Sequence, residues 1–157
     1  MFVSLAGCGA IGSTITFHNS DKWLPGKFHP AKTVLLVEVV PKPKSGATKE
    51  MKVYLAKHYP YKYEVVTMDE IKDVKGKYSD LNTYPYALVW SLHGVYVTDY
   101  DHFTHHMTKE MVGKGYDMNF YERETGHDYP KTTKGCTNPR LLFNPVINTI
   151  VKYCHKG

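Results

Sequence analysis

Nowhere in the chain do apolar residues run on for the roughly 18 positions that a membrane-spanning helix needs. The longest apolar stretches, near residues 34–40 and 86–92, are strand-sized, which excludes a transmembrane helix. Arginine is almost missing: of 20 basic residues only Arg123 and Arg140 are arginine, and the lysines are scattered along the chain. Bidentate recognition of phosphate or guanine favours arginine. The net charge of +5 therefore reads as a solvated, mildly basic surface, and no nucleic acid is expected as a partner. Also missing are the nucleophile elbow G-x-S-x-G, the phosphate-binding G-x-x-x-x-G-K-S/T, the zinc motif H-E-x-x-H and any C-x-x-C pair. Acyl transfer of the elbow type and nucleotide hydrolysis lose their support. There is no internal repeat and no low-complexity tract.

What is present suits one globular unit. The 157 residues are 42% hydrophobic, 13% aromatic and 22% charged, too rich in buriable side chains for a disordered chain. Residues 1–30 are punctuated by Gly, Ser, Asn and Pro and read as a flexible tether and approach segment, with residues 31–157 forming the domain. Thr33-Val34-Leu35-Leu36-Val37-Glu38-Val39-Val40 is β-branched and nearly continuously apolar, as in a central strand buried on both faces. Residues 48–58 place Met51, Tyr54 and Leu55 on one helical face before Pro60. A second strand follows at Tyr61-Lys62-Tyr63-Glu64-Val65-Val66, then a short helical stretch from Met68. Residues 86–92 read as a third strand that Val95-Tyr96-Val97 prolongs. Residues 116–122 alternate like a half-exposed strand, and Thr125-Gly126 supplies a hairpin turn. A closing helix is expected to start with Asn144 as cap and Pro145 in its first turn. The order predicts an α/β (α+β) single-domain two-layer sandwich, a mixed sheet of about four or five strands packed by two main helices.

Three cysteines suggest a pair and one apart. A Cys136–Cys154 disulfide would close a loop of about 18 residues and stabilise by roughly 3 kcal/mol in the chain-entropy picture. It requires an oxidising compartment; in a reduced one both remain buried thiols. Cys8 bears on that choice, because Leu5-Ala6-Gly7-Cys8 resembles the lipobox of bacterial lipoproteins, whose cysteine carries the lipid. Only Met1-Phe2-Val3-Ser4 precede it, so the reading needs a native start upstream, or else the box is accidental. A competing reading takes Gly7-Cys8-Gly9-Ala10-Ile11-Gly12 as the G-x-G-x-x-G of a dinucleotide-binding turn. That turn must open a helix, and Ser13-Thr14-Ile15-Thr16-Phe17 followed by Leu24-Pro25-Gly26 does not continue one.

Lys32-Thr33-Val34-Leu35-Leu36-Val37, Leu55-Ala56-Lys57-His58-Tyr59-Pro60-Tyr61-Lys62-Tyr63-Glu64, Tyr84-Pro85-Tyr86-Ala87-Leu88-Val89 and Phe120-Tyr121-Glu122-Arg123-Glu124-Thr125-Gly126 together resemble small lipoproteins of Bacteroidetes-like bacteria, across about residues 30–155. The layout is also similar to the α/β module at the amino terminus of the Tol system's periplasmic propeller protein. The resemblance implies a lipid-anchored envelope protein that binds or assembles with an envelope protein or glycan partner, on a fold that does not itself fix the function.

Two clusters are candidates for chemistry. Asp99-Tyr100-Asp101-His102-Phe103-Thr104-His105-His106, with His93 upstream, has metal-ligating composition. On a helix His102 and His105 or His106 would share a face and, with Asp99, hold a divalent metal for a hydrolase. A polar connection between two strands predicts the same letters. His102-Phe103-Thr104 matches the H-x-T of two-histidine phosphoesterases, without the second triplet. Glu64, Asp69, Glu70 and Asp73 read as a solvated helix start. Among 13 tyrosines, Tyr59, Tyr61 and Tyr63 alternate, with Tyr84 close behind, and are expected to form a face for protein or glycan recognition if exposed.

Overall fold

The computed structural model describes residues 23–41, 46–101, 104–130 and 138–154. Cys8, the Gly7-to-Gly12 turn, His102 and Cys136 lie outside them. The strands are β1 (Leu35–Glu38), β2 (Tyr63–Val66), β3 (Tyr86–Asp101), β4 (His106–Glu122) and β5 (His127–Asp128); the helices are α1 (Ala47–His58), α2 (Met68–Lys72) and α3 (Pro139–Cys154). One mixed sheet runs β2-β1-β3-β4-β5, with β1 parallel to both neighbours and β3, β4 and β5 antiparallel. The expected α/β sandwich is present, and among the described residues no helix is long and apolar enough to cross a membrane.

The apolar run of β1 is buried along its whole length because both faces of the sheet are covered there. On one face Leu35, Val37, Leu88, Trp90, Met118 and Phe120 pack under α1 and α3. Tyr54 on α1 donates to Asn148 Oδ1 on α3 at 2.9 Å, tying the two helices together. Trp23 and Phe28 are buried in the same core, so packing begins ahead of the boundary expected at residue 31. On the opposite face a smaller cluster of Leu36, Val66, Ile71, Tyr78, Ala87 and Val89 is closed by α2 and the segment after it.

The closing helix departs from expectation. It starts at Pro139, with Asn138 Oδ1 accepting the Arg140 amide at 3.0 Å, and it carries Pro145 in its interior. An interior proline costs about 3 kcal/mol or more. Leu142 and Phe143, ahead of that proline, are fully buried against the sheet, and each contributes about 1.5–3 kcal/mol, which offsets the break.

Two buried polar residues hold the sheet to its surroundings. Trp90 donates its backbone N–H to Glu38 Oε2 at 2.8 Å and its indole N–H to the Glu38 carbonyl at 3.0 Å, extending the β1–β3 ladder past its last backbone pair. Burial raises the Glu38 carboxyl above its ordinary pKa, although the Trp90 amide and the Lys72 charge pull it down. Arg123, only 5% exposed, donates to the carbonyls of Ile71 (2.7 Å), Tyr78 (2.6 Å), Tyr84 (3.0 Å) and Asp73 (3.1 Å).

Two outcomes follow from these residues. A folded-state carboxyl pKa above the unfolded value contributes stability that is present at acid pH and lost as pH rises. Glu38→Gln, which keeps an acceptor for Trp90 without the charge, should therefore gain thermal stability relative to the parent as pH is raised from 4 to 7; a difference that shrinks over that range contradicts the reading. Arg123→Lys cannot span four carbonyls, and should cost about 3–5 kcal/mol in denaturant unfolding. Amide hydrogen exchange should accelerate first across residues 73–85.

Candidate functional site

β3 and β4 outrun the rest of the sheet. They pair continuously from Tyr86↔Glu122 to Asp101↔His106, whereas β1 meets β3 only at Ala87 and Leu88, and β5 meets β4 only at Tyr121 and Glu122. Beyond those points the two strands form a ribbon with no further strand partner among the described residues. Its base is marked by Gly94, by Gly113 opposite Val95, by Gly115 opposite His93, and by a register shift between Val95 and Tyr96. Glycine weakens strand packing and a bulge sharpens the local twist, so this is where the ribbon departs from the sheet.

The register places Leu92, Met107 and Met111 on one side of the ribbon, continuing the side that holds Trp90 in the core. They are 42%, 69% and 56% exposed. Methionine adapts its shape to an irregular surface, and these three apolar side chains are exposed on that side of the ribbon.

The other side carries a polar row at the ribbon's base. His93 Nδ1 lies 3.1 Å from Asp117 Oδ2. Ser91 donates to Asn119 Oδ1 at 3.1 Å, and Asn119 donates to Asp128 Oδ1 at 2.8 Å. Asp117 and Asn119 are 4% and 3% exposed. A buried carboxylate beside Nδ1 orients the imidazole, and the ring lies across Gly115, where an added Cβ would collide with Nε2. Ser91 directs its proton to Asn119, so this arrangement is a hydrogen-bonded support and not a poised serine nucleophile. Sequence reading misses it: Asp117 and Asn119 alternate with apolar neighbours and look exposed. The available signal was Ser91 and His93 inside an apolar run.

The expected site residues are distributed differently from the reading. Asp99 and His106 lie on β3 and β4, and His105 sits in the turn between them with a φ of 54°. Asp101 and His106 are the last paired residues of the two strands on either side of it. Among the described residues no group of three His, Cys, Asp or Glu is placed to hold a metal, His102 being outside them. The four tyrosines do not share one exposed face. Tyr59 is buried in the main core with its ring 5.5 Å from Tyr61 and 6.0 Å from Tyr63, while Tyr84 packs on Tyr78 at 5.2 Å in the smaller cluster across the sheet. Burial raises the Tyr59 hydroxyl pKa, and that hydroxyl has no hydrogen-bond partner among the described residues. Among the described residues no disulfide is seen: Cys136 lies outside them, and Cys154 is a free, half-buried thiol in the last turn of α3, its pKa raised by burial.

Gly115→Ala should cost about 1–3 kcal/mol by driving the imidazole off Asp117, although alanine ordinarily suits a strand better than glycine. His93→Ala/Gly115→Ala should recover most of that loss in a double-mutant cycle, and Gly26→Ala, with open space around it, should be close to neutral. Additive costs in the cycle would show that His93 does not need the space at Gly115. Compared with known proteins, the chain matches no family model, no curated protein and no solved structure.

Proposed function

We propose that this protein is a binding or assembly module, held at a cell-envelope membrane by a lipid on Cys8, that engages an envelope protein through the β3–β4 ribbon. The observation that carries the binding half is the ribbon itself. A two-stranded hairpin is marginal in water, and this one continues well past its last sheet neighbours with Leu92, Met107 and Met111 uncovered. An extended segment of a partner adding to a free strand edge would complete the backbone pairing, while the methionine-bearing side supplies adaptable contact. A protein partner suits these features better than a glycan, because the tyrosines that would stack on sugar are divided between the two faces and Tyr59 is buried. The anchoring half is supported by Leu5-Ala6-Gly7-Cys8.

Each half has its own test. Replacing residues 95–113 by Asn-Gly joins Gly94 to Lys114 across a two-residue turn and should leave the melting temperature within a few degrees of the parent. In-cell cross-linking of the shortened protein should then lose the adducts that the parent forms; an unchanged adduct pattern overturns the ribbon as the binding element. Intact mass after expression of the native gene in a bacterial host should show a diacylglyceryl group at Cys8, and Cys8→Ala should leave the membrane fraction. An unmodified Cys8 rejects the anchor and leaves the ribbon proposal standing.

A further inference from the structure

We infer that the outer face of α1 and α3 rests on an anionic phospholipid surface. Basic residues that lie scattered along the sequence are gathered here by the fold. The two helices lie side by side on one face of the sheet, joined by the Tyr54–Asn148 hydrogen bond and the Arg140–Glu50 ion pair. With histidine neutral, they carry five basic residues against one acid, Glu50, which places +4 of the chain's +5 on them. The opposite face of the sheet has no such excess: α2 and the segment after it, residues 67–85, carry three lysines against four acids, a net of −1. A molecule polarised in this way turns its α1–α3 face toward a negative surface.

The arrangement of side chains on that face selects lipid. Met51 and Leu55 direct one side of α1 into the core, which leaves Lys49, Lys52, Val53 and Lys57 exposed on the other. On α3 the corresponding exposed stripe is Leu141, Asn148 and Lys152, at i, i+7 and i+11. The one arginine of the face is engaged by Glu50, and the remaining charge belongs to lysines, point charges without the planar fork that reads phosphates and bases in nucleic acid. Val53 and Leu141 stand among these lysines and are 62% and 41% exposed. Two aliphatic side chains gain nothing against a nucleic-acid backbone. At a bilayer they enter the boundary between headgroups and acyl chains, while the long lysine stems carry their charges to the headgroup phosphates. Each lysine held near an anionic leaflet contributes about a fivefold gain in partitioning at low salt. The face therefore binds without a lipid on Cys8, and a lipid there holds it close to the same surface.

The test uses the full chain without lipid on Cys8, sedimented with vesicles of phosphatidylcholine alone or with about one third phosphatidylglycerol. Binding should be roughly tenfold or more stronger to the anionic vesicles and should fall steeply as salt rises from about 0.05 to about 0.5 M. Lys49→Gln/Lys52→Gln/Lys57→Gln should weaken it by about a hundredfold, and Lys72→Gln/Lys75→Gln/Lys77→Gln, which removes the same charge from the opposite face, by no more than about threefold. Val53→Ser/Leu141→Ser should weaken vesicle binding several-fold without altering its salt dependence. All of these positions are exposed, and the melting transition of each variant checks that the fold is kept. Equal losses from the two lysine triples would reduce the effect to net charge, equal binding to both kinds of vesicle would remove the need for an anionic lipid, and duplex DNA bound as tightly as the anionic vesicles would assign the face to nucleic acid; each overturns the proposal. None of these measurements involves the ribbon or the acylation of Cys8, so the proposed function stands or falls separately.

Discussion

The structure depends on one guanidinium. Arg123 sits where β4 turns toward β5, and its four side-chain hydrogen bonds reach carbonyls in α2, just after it, and in the loop that leads into β3. Its own amide adds a bond to the Pro85 carbonyl at 2.9 Å. The hydrogen bonds these segments make among themselves are short-range: the Thr67–Glu70 capping box of α2, the Lys75 amide to Asp73, the Ser79 amide to the Gly76 carbonyl, and the Asp80 turn. A buried cation is costly unless its donors find acceptors, and here backbone carbonyls take four of the five guanidinium N–H groups. The dependence is mutual: the cation needs the folded loop, and the loop needs the cation to satisfy carbonyls at the closed face of the sheet. That face holds Leu36, Ala87 and Val89, so without the loop one side of β1 and β3 would be open to water.

The two faces of the sheet are thus sealed by different physics. Under α1 and α3 the seal is apolar area, with Trp23 and Phe28 filling the space that the two helices leave. Under α2 it is a short helix and a polar staple. The β3–β4 ribbon leaves from the end where neither seal reaches, and the polar row from Ser91 to Asp128 lies at that transition. Buried Asn119 is tolerable there because Ser91 and Asp128 meet it at hydrogen-bonding distance, and buried Asp117 has His93 Nδ1 3.1 Å from its Oδ2.

Much of the architecture was legible in the letters, and the divisions between legible and hidden are physical. β1, β2, α1 and the Thr125-Gly126 turn were readable because each is specified locally, by an apolar run, by period, by Pro60 as a stop, or by a residue able to adopt the positive φ of Gly126. The start of α3 was not, because Pro145 argues locally for a first turn and only the burial of Leu142 and Phe143 by the sheet decides otherwise. The candidate site was mostly hidden for the same reason. Alternation at residues 116–122 states which side chains share a side, and nothing in it states whether that side is covered; Asp117 and Asn119 look exposed by pattern and are buried by their neighbours. The tyrosines fail in the opposite way: Tyr59 follows the last turn of α1, and the chain's bend there carries it into the core.

The ribbon is the part that neither pattern nor core explains on its own. Ordering a residue's backbone costs about 1–2 kcal/mol, and a cross-strand side-chain pair returns about 0.2–1 kcal/mol. Within the sheet the deficit is met by burial against helices. Along the outer ribbon it is met by neither helix nor third strand among the described residues, and the base carries glycines and a register shift that lower its stiffness further. Such an element lacks the burial and the edge bonds that stabilise the rest of the sheet. The polar row supports the base of the ribbon without adding apolar area to it, so the order of the outer ribbon rests on the β3–β4 pairing.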